Sequence, residues 1–281
     1  MATNKAALNK IIGNAVIYLL LIIVGTAYFF PLFWMLSSSI MPDHQLFRFP
    51  PQVIPDQIMW SNFYNAMTLV PFFLYLRNTI LIATGAMIGV VISCPLAAYS
   101  LARIQWKGRG VLMAITIGVM MIPAQVTIIP LFIIFTRVGL LGTLVPLILP
   151  TFFGVPFYIF LMRQFFRQLP RSLEDAARID GGSEFQIYRY IMFPLCQPAV
   201  LTIALFQVIA SWNDFTAPLI YLTTANLFTL QLGLQHFTRA YDSQWGLLMA
   251  AAALVALPVI AVFFLVQKSF IQGITFGGVK G

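Results

Sequence analysis

Six long, strongly apolar stretches of this chain contain no Asp, Glu, Lys or Arg: residues 15–36, 79–102, 110–136, 138–162, 190–213 and 243–267. A helix needs about 20 apolar residues to cross the hydrocarbon core of a bilayer, and each of these runs is long enough. Lipid offers no hydrogen bonds, so each run must satisfy its own backbone as a helix. The composition agrees, with 60% hydrophobic and 9% charged residues, where a soluble domain carries roughly a quarter charged. The expected fold is an all-α integral membrane protein with six transmembrane helices.

The cations give the orientation, because loops on the cytoplasmic side hold the excess of Lys and Arg. With the N-terminus inside, Lys5, Lys10, Arg103, Lys107, Arg109, Arg163, Arg167, Arg171, Arg178, Arg189, Lys268 and Lys280 lie on the inner side, and Arg48, Arg77, Arg137 and Arg239 outside. The expectation is a multi-pass protein of a bacterial-type inner membrane with both termini cytoplasmic. The net charge of +8 then reads as topology, not as a nucleic-acid surface. Trp34, Trp106, Trp212 and Trp245 fall near expected helix ends, where amphipathic rings favour the interface. The first run is too long for a secretory signal and lacks a small-x-small cleavage site soon after it, so it reads as an uncleaved helix.

Chemistry is sparsely represented. Cys94 and Cys196 fall at different expected depths, which argues for reduced structural thiols, and His44 and His236 stand in expected outer loops. Neither pair makes a metal site or a nucleophile with its base. A phosphate-binding loop needs Gly-x-x-x-x-Gly-Lys before Ser or Thr, and the one Lys so followed, Lys268, is preceded by Gln267. No catalytic residue, metal or cofactor is expected in this chain.

The longest expected outer loop, residues 37–71, follows the first run. Pro42, Pro50, Pro51 and Pro55 deny it a long helix, while Trp60, Phe63 and Tyr64 offer apolar surface for a small cap. Prolines also enter the runs at Pro31, Pro95, Pro123, Pro130, Pro146, Pro150, Pro156 and Pro258, and the carbonyls they free need neighbouring helices or a polar cavity. The cluster from Pro123 to Pro156 fits kinked helices around a pathway and ordinary membrane-helix proline equally well. Asp214, in Trp212-Asn213-Asp214-Phe215, is the acidic residue closest to a run. It reads either as the outer end of a translocation path, with Trp212 and Asn213, or as a cap on the fifth helix.

A charged island, residues 173–194, separates the fourth and fifth runs. Pro170 stops the helix before it, Ser172 can cap a new one with Asp175 three residues on, and Glu174 and Asp175 suit its first turn. Gly181-Gly182 ends that helix, Ser183 with Gln186 repeats the capping pattern, and Pro194 breaks the second helix before the next run. The expected object is helix, tight turn, helix, lying along the membrane surface. Ala176 and Ala177 leave room for a partner, Glu174, Asp175, Arg178 and Asp180 offer charged contacts, and Ile179, Phe185, Tyr188 and Ile191 need covering.

Asp175-Ala176-Ala177, Gly181, Ile191 and Pro194 fall at the spacing Glu-Ala-Ala, three residues, Gly, nine residues, Ile-x-Leu-Pro. The island thereby resembles the cytoplasmic coupling loop of the permease subunits of binding-protein-dependent ABC importers, with Asp175 for the family's Glu and Phe193 for its Leu. Trp212-Asn213-Asp214-Phe215 with Pro218-Leu219, and the tail from Phe270 to Gly281, are similar to the second permease subunit of maltose-type carbohydrate importers. Asn62-Phe63-Tyr64 and Asn78 extend the likeness over nearly the whole chain.

The resemblance implies the type-1 ABC importer transmembrane fold and a membrane-spanning subunit of a carbohydrate importer that is not itself an enzyme. Implied partners are a second, related permease, two ATPase subunits carrying ATP and Mg, and an extracytoplasmic substrate-binding protein. Glu174, Asp175, Ala176, Ala177, Gly181, Ile191 and Pro194 would couple to the ATPase, and Gln272, Gly273, Gly277 and Gly278 would lie along it. The implied layout is a cytoplasmic N-terminus 1–12, a first helix 13–36, an outer loop 37–71, a core 72–267 containing the coupling loop 164–197, and a tail 268–281. An importer permease for amino acids or peptides would share the coupling loop. A secondary transporter would place ionisable groups mid-membrane, and the six runs hold none.

Overall fold

The computed structural model describes the backbone of residues 2–240 and 244–278, and the side chains of residues 11–235, 237 and 244–267. The readings of His236 and Arg239, and of the tail side chain Gln272, lie outside the described side chains. The helices are α1 (Ala2–Ser39), α2 (Asp43–Leu46), α3 (Ser61–Thr68), α4 (Phe72–Ala102), α5 (Arg109–Val119), α6 (Ala124–Arg137), α7 (Val145–Ile148), α8 (Pro156–Gln168), α9 (Ser172–Ile179), α10 (Glu184–Ile187), α11 (Phe193–Leu195), α12 (Gln197–Asn213), α13 (Thr216–Tyr221), α14 (Leu230–Ala240) and α15 (Trp245–Gly278). A 3-10 turn, Leu149–Phe153, precedes α8, and a π turn, Tyr188–Met192, links α10 to α11.

Among the described residues, four helical segments are long and apolar enough to cross a membrane: Ile11–Ser39, Phe72–Ala102, Val145–Gln168 and Trp245–Gln267. Two further candidates are bent pairs, Arg109–Val119 with Ala124–Arg137 at 101° and Glu184–Leu195 with Gln197–Asn213 at 76°, which bring the total to as many as six when each pair is counted as one span. The third and fifth expected spans are therefore broken rather than continuous. Pro123 stands at the N-cap of α6, where its missing N–H costs nothing but the preceding helix cannot continue through it. In the fifth, the break falls at Cys196, two residues beyond the Pro194 expected to make it, because Pro194 sits in the first turn of α11 where proline is tolerated.

The chain divides into two units. One comprises Met1–Val70 and His236–Ala256. In it α1 buries nothing along its apolar run, as suits a helix apolar on all sides. The loop that follows is organised by a polar residue. Gln45 is 1% exposed; its Nε2 donates to Gln52 Oε1 and to the Ile54 carbonyl, both at 2.9 Å, and its Oε1 accepts from the Asp56 N–H at 3.0 Å. One amide with donors and acceptor all engaged is stable out of water. Trp60 and Tyr64, expected to pack, are 67% and 66% exposed instead. Asn62 Nδ2 donates to the Ser39 and Met41 carbonyls at 3.0 and 3.2 Å, satisfying acceptors at the end of α1. Asp43 Oδ1 accepts from the Gly246 N–H at 2.8 Å, a carboxylate at the N-terminus of α15 where the helix dipole favours it.

The other unit comprises Pro71–Gln235 and Leu257–Gly281. Its axis is α4, against which α8 and α12 pack. Ala83, Ala86, Gly89, Val90 and Ala98 are buried along it, and small residues let helix backbones approach closely where no hydrophobic force separates protein from lipid. Gly89 is the tightest point, since a Cβ there would lie 2.2 Å from Thr151 Oγ1. At the start of α4, Asn78 Nδ2 donates to the Asn226 and Phe228 carbonyls at 2.9 and 3.1 Å, and Thr79 Oγ1 accepts from the Leu230 N–H at 2.9 Å. At its other end a cluster of Cys94, Ala98, Tyr99, Met162, Phe166, Ile187, Tyr188, Met192, Cys196 and Ile203 closes the core. Both cysteines are free and buried, and they share this cluster.

Candidate functional site: the charged loop between α8 and α12

The loop begins where α8 ends. Leu169 takes an extended conformation before Pro170, as the residue preceding proline must. The next helix then starts a residue earlier than its sequence suggests. Ser172 is inside α9 and its side chain makes no cap; the Arg171 carbonyl already accepts from Glu174 and Asp175 N–H groups at 3.0 and 3.1 Å. The expected cap at Ser172 is thus replaced by backbone alone, and Asp175 is free to accept from Arg178 Nη1 at 3.1 Å.

The turn follows its chemistry closely. Gly181 has φ +82°, a conformation open to glycine at little cost, and the Gly182 N–H closes the helix end on the Ala177 carbonyl at 2.9 Å. A Cβ on Gly182 would fall 2.9 Å from that carbonyl oxygen, so a side chain there would force the backbone to shift. Ser183 then forms a full capping box on α10: its Oγ accepts from the Gln186 N–H at 3.3 Å, and Gln186 Oε1 accepts from the Ser183 N–H at 2.8 Å. A π turn, Tyr188–Met192, follows; such turns are rare and occur frequently at functional sites.

Two polar connections hold the hairpin. Arg178 Nε donates to Glu184 Oε1 at 2.9 Å across the turn, and Glu184 Oε2 accepts from the Tyr99 hydroxyl of α4 at 3.0 Å. Deeper, Arg103 and Glu174 form an ion pair, Nε to Oε1 3.6 Å, with side chains only 3% and 4% exposed. The same guanidinium donates from Nε to the Phe166 carbonyl at 2.9 Å, and from Nη2 to the carbonyls of Phe166 and Leu169. Arg103 therefore joins α4, the end of α8 and the start of α9. Glu174 Oε1 accepts no hydrogen bond among the described residues. Burial pushes its carboxyl above the usual range, against the opposing pull of Arg103 and Arg178. Beneath lies an aromatic bed in which Tyr99 packs on Tyr188 at 5.3 Å and on Phe166 at 5.7 Å between ring centroids.

These contacts sort the expected coupling residues into two faces. Ala176, Asp175, Gly181 and Pro194 are exposed, and Ile179, Phe185 and Tyr190 present 86%, 66% and 74% of their surface. Ala177 and Ile191 pack against the core cluster instead, and Tyr188, expected to need covering, is buried within it. Glu174 is the clearest departure, an expected outward charge turned fully inward. Sequence reasoning missed Arg103 and Tyr99 altogether. An arginine closing an uncharged run looks like any topology cation, and nothing short of the fold places it over the end of α8.

At the far end of α12 the three expected pathway residues differ in exposure. Trp212 is buried and Asn213 exposed. Asn213 Nδ2 donates to the Ile209 carbonyl at 2.9 Å, and Asp214 Oδ1 accepts from the Ala217 N–H at 3.2 Å. Asp214 thus acts at the start of α13, and burial raises its carboxyl while the Ala217 and Thr216 N–H groups hold it down. In the tail, the backbone at Gln272, Gly273, Gly277 and Gly278 continues α15 as helix.

A long axial helix, two bent helix pairs and a hairpin tied to α4 through Tyr99 and Arg103 are the features that position this loop. Residues 89–276 match the family described as "Binding-protein-dependent transport system inner membrane component", and the chain belongs to it. The chain is 32% identical over 268 residues to the arabinooligosaccharides transport system permease protein AraQ of Bacillus subtilis, covering 94% of each. It is 29% identical over 253 residues to the diacetylchitobiose uptake system permease protein DasC of Streptomyces coelicolor, covering 90% of this chain and 92% of that one. A chain from the crystal structure of a bacterial ABC transporter involved in import of the acidic polysaccharide alginate superposes with a TM-score of 0.78 at 27% identity, covering 92% of this chain and 96% of that one.

Proposed function

We propose that this chain forms half of the translocation pathway of an ATP-driven carbohydrate importer, and that the hairpin of α9 and α10 docks on a separate ATPase. The observation that carries the reading is the exposed face of that hairpin. Ile179, Phe185 and Tyr190 stand outward beside the small Ala176, while the backbone beneath is fixed by two glycines, a capping box and Arg178. Apolar anchors on a preorganised element are what a partner groove binds. The carbohydrate class is supported by relatives whose names specify arabinooligosaccharides and diacetylchitobiose.

In this reading a second permease completes the pathway, ATP and Mg are held by the ATPase, and a substrate-binding protein delivers sugar from outside. The loop faces the cytoplasm, as the Lys and Arg asymmetry supports, and so do both termini. The catalytic step belongs to the ATPase. The path for sugar runs beside Trp212, Asn213 and Asp214, and the helical tail with its Gln272, Gly273, Gly277 and Gly278 lies against the ATPase.

An affinity-tagged chain purified from native membranes should bring down an ATPase with vanadate-sensitive Mg-ATP hydrolysis. In proteoliposomes containing the co-purified assembly and its binding protein, a panel of labelled neutral and acidic oligosaccharides is compared with labelled amino acids. Accumulation of amino acids and of no saccharide would refute the carbohydrate class while leaving the importer assignment intact.

A further inference from the structure

We infer that Arg103 is the positioning residue that makes the docking hairpin one rigid body with α4 and α8, by clamping buried Glu174 and the end of α8 together. This rests on the hairpin being the ATPase-docking element.

Arg103 closes α4 with its side chain 3% exposed, and it engages three groups at once. Its Nε and Nη2 donate to the Phe166 carbonyl, which also accepts from the Leu169 N–H at 3.3 Å, and its Nη2 reaches the Leu169 carbonyl as well; both are among the last carbonyls of α8, where partners within the helix run out. Its third group is the carboxylate of Glu174, at 3.6 Å and 4% exposed, in the first turn of α9. The clamp is reciprocal. Arg163, on α8, donates from Nε to the Leu101 carbonyl at 3.2 Å, near the end of α4. Each helix thus caps the other with an arginine, and Glu174 ties α9 to the joint.

Stability alone gives a poor account of this arrangement. A buried ion pair seldom repays its desolvation unless its lone pairs are filled, and Glu174 Oε1 accepts no hydrogen bond among the described residues. What the pair supplies is geometry. A planar guanidinium whose fixed donors hold two carbonyls sets its charge at a fixed place, 3.6 Å from the Glu174 carboxylate, which a lysine ammonium on a flexible stem does not. Tyr99 on Glu184 is a second tie from α4 to the hairpin, yet Glu184 is half exposed and lies beyond the Gly181 turn. The tie at Glu174 is the buried one.

The test measures distance within the assembled transporter. Spin labels are placed on Ser172, exposed at the start of α9, and on Leu81, 49% exposed on α4, in a background with Cys94 and Cys196 replaced. The 22 residues from Leu81 to Arg103 span roughly 33 Å of helix, within reach of pulsed electron resonance. In the wild type the distance should be the same without nucleotide and with Mg-ATP and vanadate. In Glu174→Gln, which keeps size and removes charge, and in Arg103→Lys, it should broaden and shift by several ångströms when Mg-ATP and vanadate are added, with the ATPase still bound. A wild-type distance that changes with Mg-ATP and vanadate, or variants that match the wild type, would overturn the inference. A Ser172 label whose mobility is the same with and without the ATPase would instead remove the docking reading beneath it. A role in folding alone would lower the yield of both variants without broadening the distance in the complexes recovered.

Discussion

Arg178 Nε lies 2.9 Å from Glu184 Oε1, an ion pair that crosses the Gly181-Gly182 turn and joins the two helices of the docking hairpin. Both side chains are more than a third exposed, so solvent screens the pair and its contribution to stability is about 0.2–1 kcal/mol. A double-mutant cycle of Arg178→Ala and Glu184→Ala, read by thermal unfolding of the purified chain at low salt, should give a coupling energy in that range. The coupling should shrink in 0.5 M salt, where the screening length falls to about 4 Å.

Gly181→Val should be severe, because φ +82° is strained for a β-branched residue. Gly181→Asn should be much milder, since Asn enters this region more readily than other non-glycine residues. Recovery of ATPase with the tagged chain checks it, and equal recovery for Val and Asn would show that the turn conformation is not needed.

Ala176 and Ala177 should separate docking from packing. Ala176 is exposed and Ala177 packs on the core cluster, so Ala176→Trp should reduce ATPase recovery while the chain's unfolding temperature is unchanged. Ala177→Trp should lower that temperature, by overpacking of about 1–3 kcal/mol. The same temperature loss in both would contradict the two-faced reading.

Glu174 gives the loop a pH signature. Its carboxyl is raised in the folded chain, chiefly by burial, with Arg103 and Arg178 pulling it down and Glu184 and Asp175 adding to the rise. The folded state therefore binds the proton more tightly than the unfolded one. The stability contributed by protonated Glu174 is full below its unfolded value near 4.5 and is lost as pH rises through the folded value. Glu174→Gln carries no such loss. Its unfolding temperature relative to the wild type should be higher at pH 7.5 than at pH 4.5, and an invariant difference would show that the carboxyl is not shifted.

Asp214→Asn should leave stability unchanged, because Asn caps as well as Asp, whereas Asp214→Ala should cost about 1 kcal/mol. Should Asp214 line the sugar path, both variants would lower oligosaccharide uptake in proteoliposomes; normal uptake with Asn and reduced yield with Ala would leave it a cap alone.

Much of this molecule is written in its uncharged runs, because lipid leaves a backbone no alternative to helix. Membrane crossing, the Gly181 turn and the Ser183 cap could all be read locally. The break at Cys196 could not, since proline is tolerated in a first helical turn and Pro194 occupies one. Ser172 failed as a cap because the Arg171 carbonyl started α9 first. Gln45 was invisible because burial of an amide depends on which backbone groups the fold brings to it. The inward face of Glu174 depended on Arg103, 71 positions earlier in the chain, and no local pattern connects them.

The bend at Cys196 also sets a mechanical ratio. The segment Glu184–Leu195 meets α12 at 76°, so the two arms form an elbow whose short side carries the docking hairpin. With 17 residues, α12 is roughly 25 Å long. Each degree of rocking about the elbow sweeps its far tip by roughly 0.4 Å at that length. A tilt of about ten degrees at the elbow would become a displacement of roughly 4 Å where α12 gives way to Asp214.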